Sequence, residues 1–138
     1  MTIRLICNQH VLDIKVQGRL MDRGANKGMA GSDTTQLLET GRSISLCGID
    51  NHTVRDLKAV TAATVTKSHK GFIILILCEY CLMPNAKSIH SPLQLEFFGC
   101  KVYDKAASVN CGRTPYFQTP DGYKIPMYYL EGLPYIQQ

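Results

Sequence analysis

The feature that most constrains the fold is an apolar run of twelve residues, Phe72 to Met83, which Gly71 precedes. It reads Phe-Ile-Ile-Leu-Ile-Leu-Cys before Glu79 interrupts it, without alternation between apolar and polar residues. A membrane-spanning helix needs about twenty apolar residues, so the run is too short for that. A short continuous run of this kind is typical of a fully buried strand. We therefore expect a central strand, covered on both faces, that forms the core of the domain.

The rest of the chain favours β-structure, because period-two patterns and short apolar runs alternate with turn residues. The other predicted strands cover residues 3–7, 11–16, 19–21, 42–47, 54–66, 114–118 and 123–130. The strands 42–47 and 54–66 read as a long hairpin with a polar tip. Only the segment from Ser91 to Gly99 is typical of a helix, with a possible N-cap Ser, Pro92 at the first helical position and Gly at the end. A chain of 138 residues suits one domain, residues 1–138.

Composition and charge exclude several classes of protein. The chain is 45% apolar and 19% charged, as in ordinary globular domains. Its net charge of +4 is spread along the whole sequence, so no direct nucleic-acid partner is predicted. Asn8, Gln9 and His10 lie where a secretion signal would need its apolar segment, so no such signal is expected. We also expect no membrane partner. A cytoplasmic protein is the expectation.

One short segment could carry chemistry. The apolar strand that ends at Met21 leads directly into Asp22, Arg23, Gly24 and Ala25. An acid in that place lies at a strand end, on exposed backbone. On this segment alone an ordinary surface turn is the more common explanation, because Asp and Gly are frequent turn residues.

The order of the segments that follow resembles the protease domain of copia-type retrotransposon polyproteins, a branch of the retropepsins. In that family an apolar strand leads into Asp-Ser/Thr-Gly-Ala and a stretch of small residues, similar to residues 22–31 here. A hairpin with Gly-Ile-Asp/Gly follows, similar to residues 47–52. Then come a Pro-Asn turn, a Leu-rich helix ending in Gly, an Asp-Gly turn and a closing Gly-Leu-Pro-Tyr, which match residues 82–85, 91–99, 119–123 and 132–135. The resemblance extends over residues 14–135.

The resemblance implies an all-β, retropepsin-like barrel or sandwich with one short helix. It also implies an aspartic endopeptidase that processes a retrotransposon polyprotein in the cytoplasm or in virus-like particles, without a cofactor or a metal. It assigns Asp22 as the catalytic acid and Arg23, Gly24 and Ala25 as the active-site turn. The hairpin tip would be a flap that closes over an extended peptide, formed by Gly48, Ile49, Asp50, Asn51 and His52.

The chemistry adds its own constraint on the assembly. Peptide hydrolysis by carboxylates needs two of them, close enough to share one proton. The second Asp-Gly pair, Asp121-Gly122, follows Pro120 and lacks a preceding apolar strand, so it reads as a hairpin turn. A chain with one such motif can supply two carboxylates only as a homodimer, with Asp22 of each copy at the symmetry axis.

Arg23 departs from the family pattern, which has Ser or Thr after the catalytic Asp to link the two turns across the dimer axis. A guanidinium has no acceptor and is always charged, so it cannot replace that hydroxyl. Either Arg23 crowds the axis, which is our expectation, or it points outward. A degenerate β-domain of mobile-element origin, which dimerises or binds peptide without cleaving it, is therefore an alternative.

A second alternative is a Cys-rich zinc-binding domain. Cys78 and Cys81 have the spacing of half a structural zinc site, and Cys100, Cys111 or His90 could add ligands. Cys100 and Cys111 are too far apart in sequence for a second knuckle, and strand residues three apart point to opposite faces. The expectation is six reduced and mostly buried thiols.

Overall fold

The computed structural model describes residues 2–7, 10–15, 18–47 and 53–137. The described chain is mostly β-sheet, so the prediction of an all-β domain is confirmed. Its elements are β1 (Thr2–Cys7), β2 (His10–Lys15), β3 (Arg19–Met21), β4 (Met29–Ala30), β5 (Thr35–Cys47), β6 (Thr53–Ser68), β7 (Gly71–Leu82), β8 (Ile89–His90), α1 (Pro92–Phe97), β9 (Lys101–Tyr103), a 3-10 turn (Ala107–Val109), β10 (Tyr116–Gln118), β11 (Lys124–Leu130) and β12 (Leu133–Ile136).

Ten of the described strands form one sheet, in the order β5-β6-β7-β4-β8-β3-β12-β11-β10-β9. β1 and β2 pair with each other as a separate antiparallel sheet. Most neighbours in the large sheet are antiparallel, but β3 runs parallel to β8 and β4 runs parallel to β7. The short strand β3 is therefore an interior strand, with β8 on one side and β12 on the other.

The long hairpin predicted from the sequence is present in its two arms, β5 and β6. They pair antiparallel as far as Cys47 and Thr53. β5 begins at Thr35, seven residues before the predicted start at Arg42. Register shifts between Gln36 and Ser43 interrupt the two-residue alternation, which explains why the pattern did not reveal this part of the strand.

The expectation that β7 is covered on both faces is wrong for the described chain. Phe72, Ile74 and Ile76 are 68%, 69% and 51% exposed. Successive strand residues point to opposite faces, and only the alternate residues, such as Ile73 and Leu75, pack against the core. An apolar run without alternation therefore did not mean burial on both sides here.

The larger core lies where α1 meets the sheet. It contains Leu95 of α1 and side chains from β3, β10, β11 and β12, namely Met21, Phe117, Ile125, Met127 and Ile136. A second cluster, around Tyr80 and Leu77, lies between β4, β6 and β7. The predicted helix is confirmed: the Ser91 hydroxyl accepts the Gln94 N–H at 3.2 Å, and Gly99 follows with a positive φ. None of the described helices has the length and apolar character needed to cross a membrane.

Candidate active site

Asp22 lies directly after β3, at the carboxyl end of an interior strand. The parallel pairing with β8 sets Met21 opposite His90, and the next backbone N–H, that of Asp22, donates to the His90 carbonyl at 2.9 Å. β12 pairs with the other edge of β3, with Tyr135 opposite Leu20. The start of the Asp22 turn is thus held by backbone hydrogen bonds to two neighbouring strands.

The turn itself is closed by the aspartate. The Gly24 N–H donates to Asp22 Oδ1 at 2.9 Å, and the Ala25 N–H donates to the Asp22 carbonyl at 3.0 Å. A Cβ at position 24 would lie 3.2 Å from Asp22 Oδ1, so glycine is the residue that fits without a shift. The side chain of Asp22 is partly exposed. The other carboxylate oxygen accepts no hydrogen bond from the described part of the chain.

Arg23 points to carboxylates of its own chain. Its Nε and Nη2 donate to the two oxygens of Asp104, each at 3.1 Å, and its Nη1 pairs with Glu96. The side chain is 49% exposed. Hydrogen bonding to Asp104 raises the pKa of Arg23 further above its ordinary value. The guanidinium is therefore bound within its own chain, and two acidic groups balance its charge.

The helix α1 holds the loop that begins at Asp22 at three points. The Ser91 hydroxyl donates to the Ala25 carbonyl at 2.6 Å, the Gln94 Oε1 accepts the Gly28 N–H at 2.6 Å, and Glu96 pairs with Arg23. The sequence pattern revealed the helix and its N-cap, but not this role. Contacts across 66 residues of sequence leave no local signal.

Behind the loop, Gly28 packs against a buried Tyr80. A Cβ at position 28 would lie within 2.9 Å of three carbons of the Tyr80 ring, so only glycine fits there. The Tyr80 hydroxyl is 2.7 Å from His90 Nδ1, and both side chains are buried. Burial lowers the pKa of His90 to about 3, so this imidazole is neutral at physiological pH. Its Nε2 has no partner among the described residues.

The opposite end of β3 is anchored by an ion pair that the sequence did not indicate. Arg19 Nε donates to Asp33 Oδ2 at 2.8 Å, and the two side chains are 1% and 2% exposed. Burial alone would raise the pKa of Asp33. The hydrogen bonds from the Ser88 hydroxyl and N–H, at 2.7 and 2.9 Å, together with the Arg19 charge, lower it instead. Buried charges are tolerated when they are paired and hydrogen-bonded in this way.

The second Asp-Gly pair is a local turn, as the sequence predicted. It connects β10 to β11, with the Gly122 N–H donating to the Thr119 carbonyl at 2.9 Å and a φ of 95° at Gly122. The Asp121 carboxylate accepts a hydrogen bond from the Thr119 hydroxyl. Asp121 is exposed and is engaged within its own turn.

The hairpin tip that the resemblance assigns as the flap, Gly48 to His52, lies outside the described residues. The last pairs of its arms, Leu46 with Val54 and Cys47 with Thr53, bring β5 and β6 to the two ends of that segment.

The described residues give the zinc alternative no site. Among the residues whose side chains the structure describes, 18–45 and 56–137, no three His, Cys, Asp or Glu side chains are close enough to hold a metal ion. Cys78 is exposed and Cys81 is buried, and the register shift of β7 around Glu79 interrupts the strand alternation between them. The four cysteines whose side chains the structure describes are free thiols, but Cys78 and Cys111 are exposed, so the expectation of mostly buried thiols is wrong for these four.

Comparisons with protein-family models, with curated proteins and with solved structures gave no significant match for this chain.

Proposed function

We propose that this chain is an aspartic endopeptidase of the copia-type retropepsin kind, which processes a retrotransposon polyprotein as a homodimer. Each copy contributes one carboxylate, that of Asp22. The observation that carries the proposal is an acid at the end of an interior strand, in a turn that is held by β8 on one side and by the α1 segment on the other. Asp22 is bound to His90 through its N–H, and its own carboxylate accepts the Gly24 N–H at 2.9 Å.

Rigid support of the acid is what this chemistry requires. One carboxylate removes a proton from water while the other donates a proton to the carbonyl oxygen of the scissile bond. Both steps depend on short distances, and a misplacement of about 1 Å can cost about a hundredfold in rate. The three contacts from α1 to the loop, at Arg23, Ala25 and Gly28, suit that requirement.

The charge balance around Arg23 also supports catalysis. A free guanidinium beside the acids would favour ionisation of both carboxylates and oppose the shared proton. Here Asp104 and Glu96 bind the guanidinium, and they counter its field at the turn. The replacement of Ser or Thr by Arg at this position is therefore compatible with an active dyad, although the hydroxyl link between turns is missing.

The test compares Asp22→Asn with Asp121→Asn in the purified full chain. Cleavage of a mixture of extended oligopeptides is followed by mass spectrometry from pH 4 to 7, with and without a chelator. Asn keeps the acceptor for the Gly24 N–H but removes the base, so we expect Asp22→Asn to lose at least about a hundredfold in rate with the fold retained. The Asp121→Asn variant, which changes an exposed turn of the same composition, should cleave like the wild type.

Each other outcome contradicts the proposal in a distinct way. Equal cleavage by Asp22→Asn would assign the activity to another site or to a contaminant. Loss of cleavage with a chelator would favour a metal-dependent mechanism. A folded dimer that cleaves none of the peptides across the pH range would favour the degenerate, peptide-binding β-domain.

A further inference from the structure

Gln94 connects three segments of the chain through one buried amide. Its Oε1 accepts the Gly28 N–H at 2.6 Å, and its Nε2 donates to the carbonyls of Cys78 and Glu79, each at 3.0 Å. The residue is 6% exposed. The amide therefore bridges the end of the Asp22 loop to the backbone of β7, from a position on α1.

The spacing of the helix N-terminus would suggest a different role for this side chain. Ser91 and Gln94 have the spacing of a capping box, in which the side chain at the third helical position bonds back to the N-cap N–H. The Ser91 half of that motif is present, with the hydroxyl accepting the Gln94 N–H at 3.2 Å. The Gln94 amide instead makes its bonds to the loop and to β7, so its use is not that of a cap.

Only a side-chain amide satisfies all three bonds. Gly28 supplies a donor, whereas Cys78 and Glu79 supply acceptors. A carboxylate has no donor, a Lys or Arg side chain has no acceptor, and an apolar side chain has neither. The length is also specific, because Asn would be one methylene shorter.

Both ends of the bridge have constrained backbone. Gly28 is held a second time by the Cys81 N–H, which donates to its carbonyl at 2.9 Å. On the β7 side, Glu79 has a φ of 62°, which is rare for a residue other than glycine and persists only where the surrounding structure holds it. The Gln94 amide binds the carbonyl of that residue, so it stabilises the kink in β7 and the loop together.

We infer that Gln94 is a positioning residue for Asp22: its amide fixes the loop from Asp22 to Gly28 against β7, so that the carboxylate is presented in one orientation. The consequence for catalysis rests on the proposed function, whereas the bridge itself does not. The two can be tested separately.

The bridge is tested in the full chain by NMR. A through-hydrogen-bond coupling between the Gly28 amide nitrogen and the Gln94 side-chain carbonyl carbon should be detectable in the wild type. In Gln94→Met, of similar size but without donor or acceptor, hydrogen exchange of the Gly28 amide should accelerate at least about tenfold, while amides at the far end of the β6–β7 ladder, at Lys67 and Phe72, keep their wild-type rates. The matched control is Gln118→Met in β10, three strands from β3 in the sheet order, which should leave Gly28 unchanged.

The positioning role is tested by kinetics on the same variants. In Gln94→Met, kcat should fall at least about tenfold, with KM within about twofold of the wild type, because alignment rather than binding is impaired. In Gln94→Glu, the acceptor for Gly28 is kept but a donor exists only when the carboxyl is protonated. On the alkaline side of the pH–rate profile, the activity of Gln94→Glu should therefore fall at a lower pH than the activity of the wild type. A merely structural role would not produce this shift.

Several results would overturn the inference. Absence of the coupling in a well-folded wild type, or unchanged Gly28 exchange in Gln94→Met, would remove the bridge. A fall in kcat that only follows the unfolded fraction, with an unshifted pH profile for Gln94→Glu, would leave Gln94 a structural residue. If the wild type itself cleaves nothing, the proposed function fails, and the coupling and exchange data still decide the bridge.

Discussion

Arg23 and Asp104 form a two-pronged ion pair, in which Nε and Nη2 each lie 3.1 Å from one oxygen of the carboxylate. Asp104 follows β9, 81 residues away in sequence. The pair binds the residue after Asp22 to the segment that follows β9, and Glu96 of α1 adds a second acidic contact. Arg23, which we expected to crowd a dimer axis, is thus paired with carboxylates of its own chain.

Replacing Arg23 by Thr should therefore cost stability and leave catalysis unchanged. The side chain is about half exposed, so the loss should be about 1 kcal/mol in the free energy of unfolding, measured by urea denaturation. The exposed Arg113→Thr is the control, expected within about 0.5 kcal/mol of the wild type. A rise in dimer affinity together with faster peptide hydrolysis would instead show that Arg23 crowds the dimer axis.

The proposed function requires two chains per active site. Sedimentation equilibrium at micromolar concentration should give twice the chain mass of 15.4 kDa. Asp22→Asn should dimerise like the wild type, because the amide keeps the contacts within the turn. A folded protein that stays at the single-chain mass up to hundreds of micromolar could not form the dyad.

The buried His90 makes folding stability depend on pH. Its pKa is about 3 in the folded chain, against an ordinary value of 6.5. Between these values the unfolded chain binds a proton that the folded chain does not. The contribution of the neutral His90 to folding stability is therefore complete above about pH 6.5 and is lost as the pH falls toward 3. Urea denaturation at several pH values should show this slope.

A histidine variant and a control identify the source of that slope. His90→Gln should flatten the dependence of the unfolding free energy on pH between 6.5 and 4, even if the variant is less stable at neutral pH. Gln118→Met in β10, which changes no titratable group, should keep the wild-type slope. An unchanged slope in His90→Gln would assign the pH dependence to other groups, of which the buried Asp33 acts at lower pH, because its pKa is lowered.

Gly28→Ala should destabilise the chain through a clash with Tyr80. The added Cβ would lie within 2.9 Å of three ring carbons, and Tyr80 is buried at 2% exposure, so neither group can move freely. We expect a loss of about 1–3 kcal/mol. Combining it with Tyr80→Leu should cost less than the sum of the two single changes by about 0.5 kcal/mol or more, and strict additivity would contradict the clash.

Local patterns in the sequence determined the strand class of the chain, the helix after Ser91 and the position of Asp22 at a strand end. These features depend on residues within a few positions of one another, so the alternation, the N-cap residue and the turn residues indicate them directly. The short strands β4, β8 and β12 show no clear alternation, and the sequence did not predict them.

The tertiary structure alone decided how the acid is held and which apolar residues are buried. Arg23 pairs with Asp104 and Glu96, and Gln94 hydrogen-bonds to Gly28. These partners are 66 to 81 residues apart in sequence, and folding brings α1 and β9 beside the Asp22 loop. Tertiary packing also decided the exposure of β7. Its Phe72 and Ile74 are apolar, as core residues are, but they lie exposed. Burial depends on which elements pack on each face of a sheet, and a strand's own residues do not contain that information.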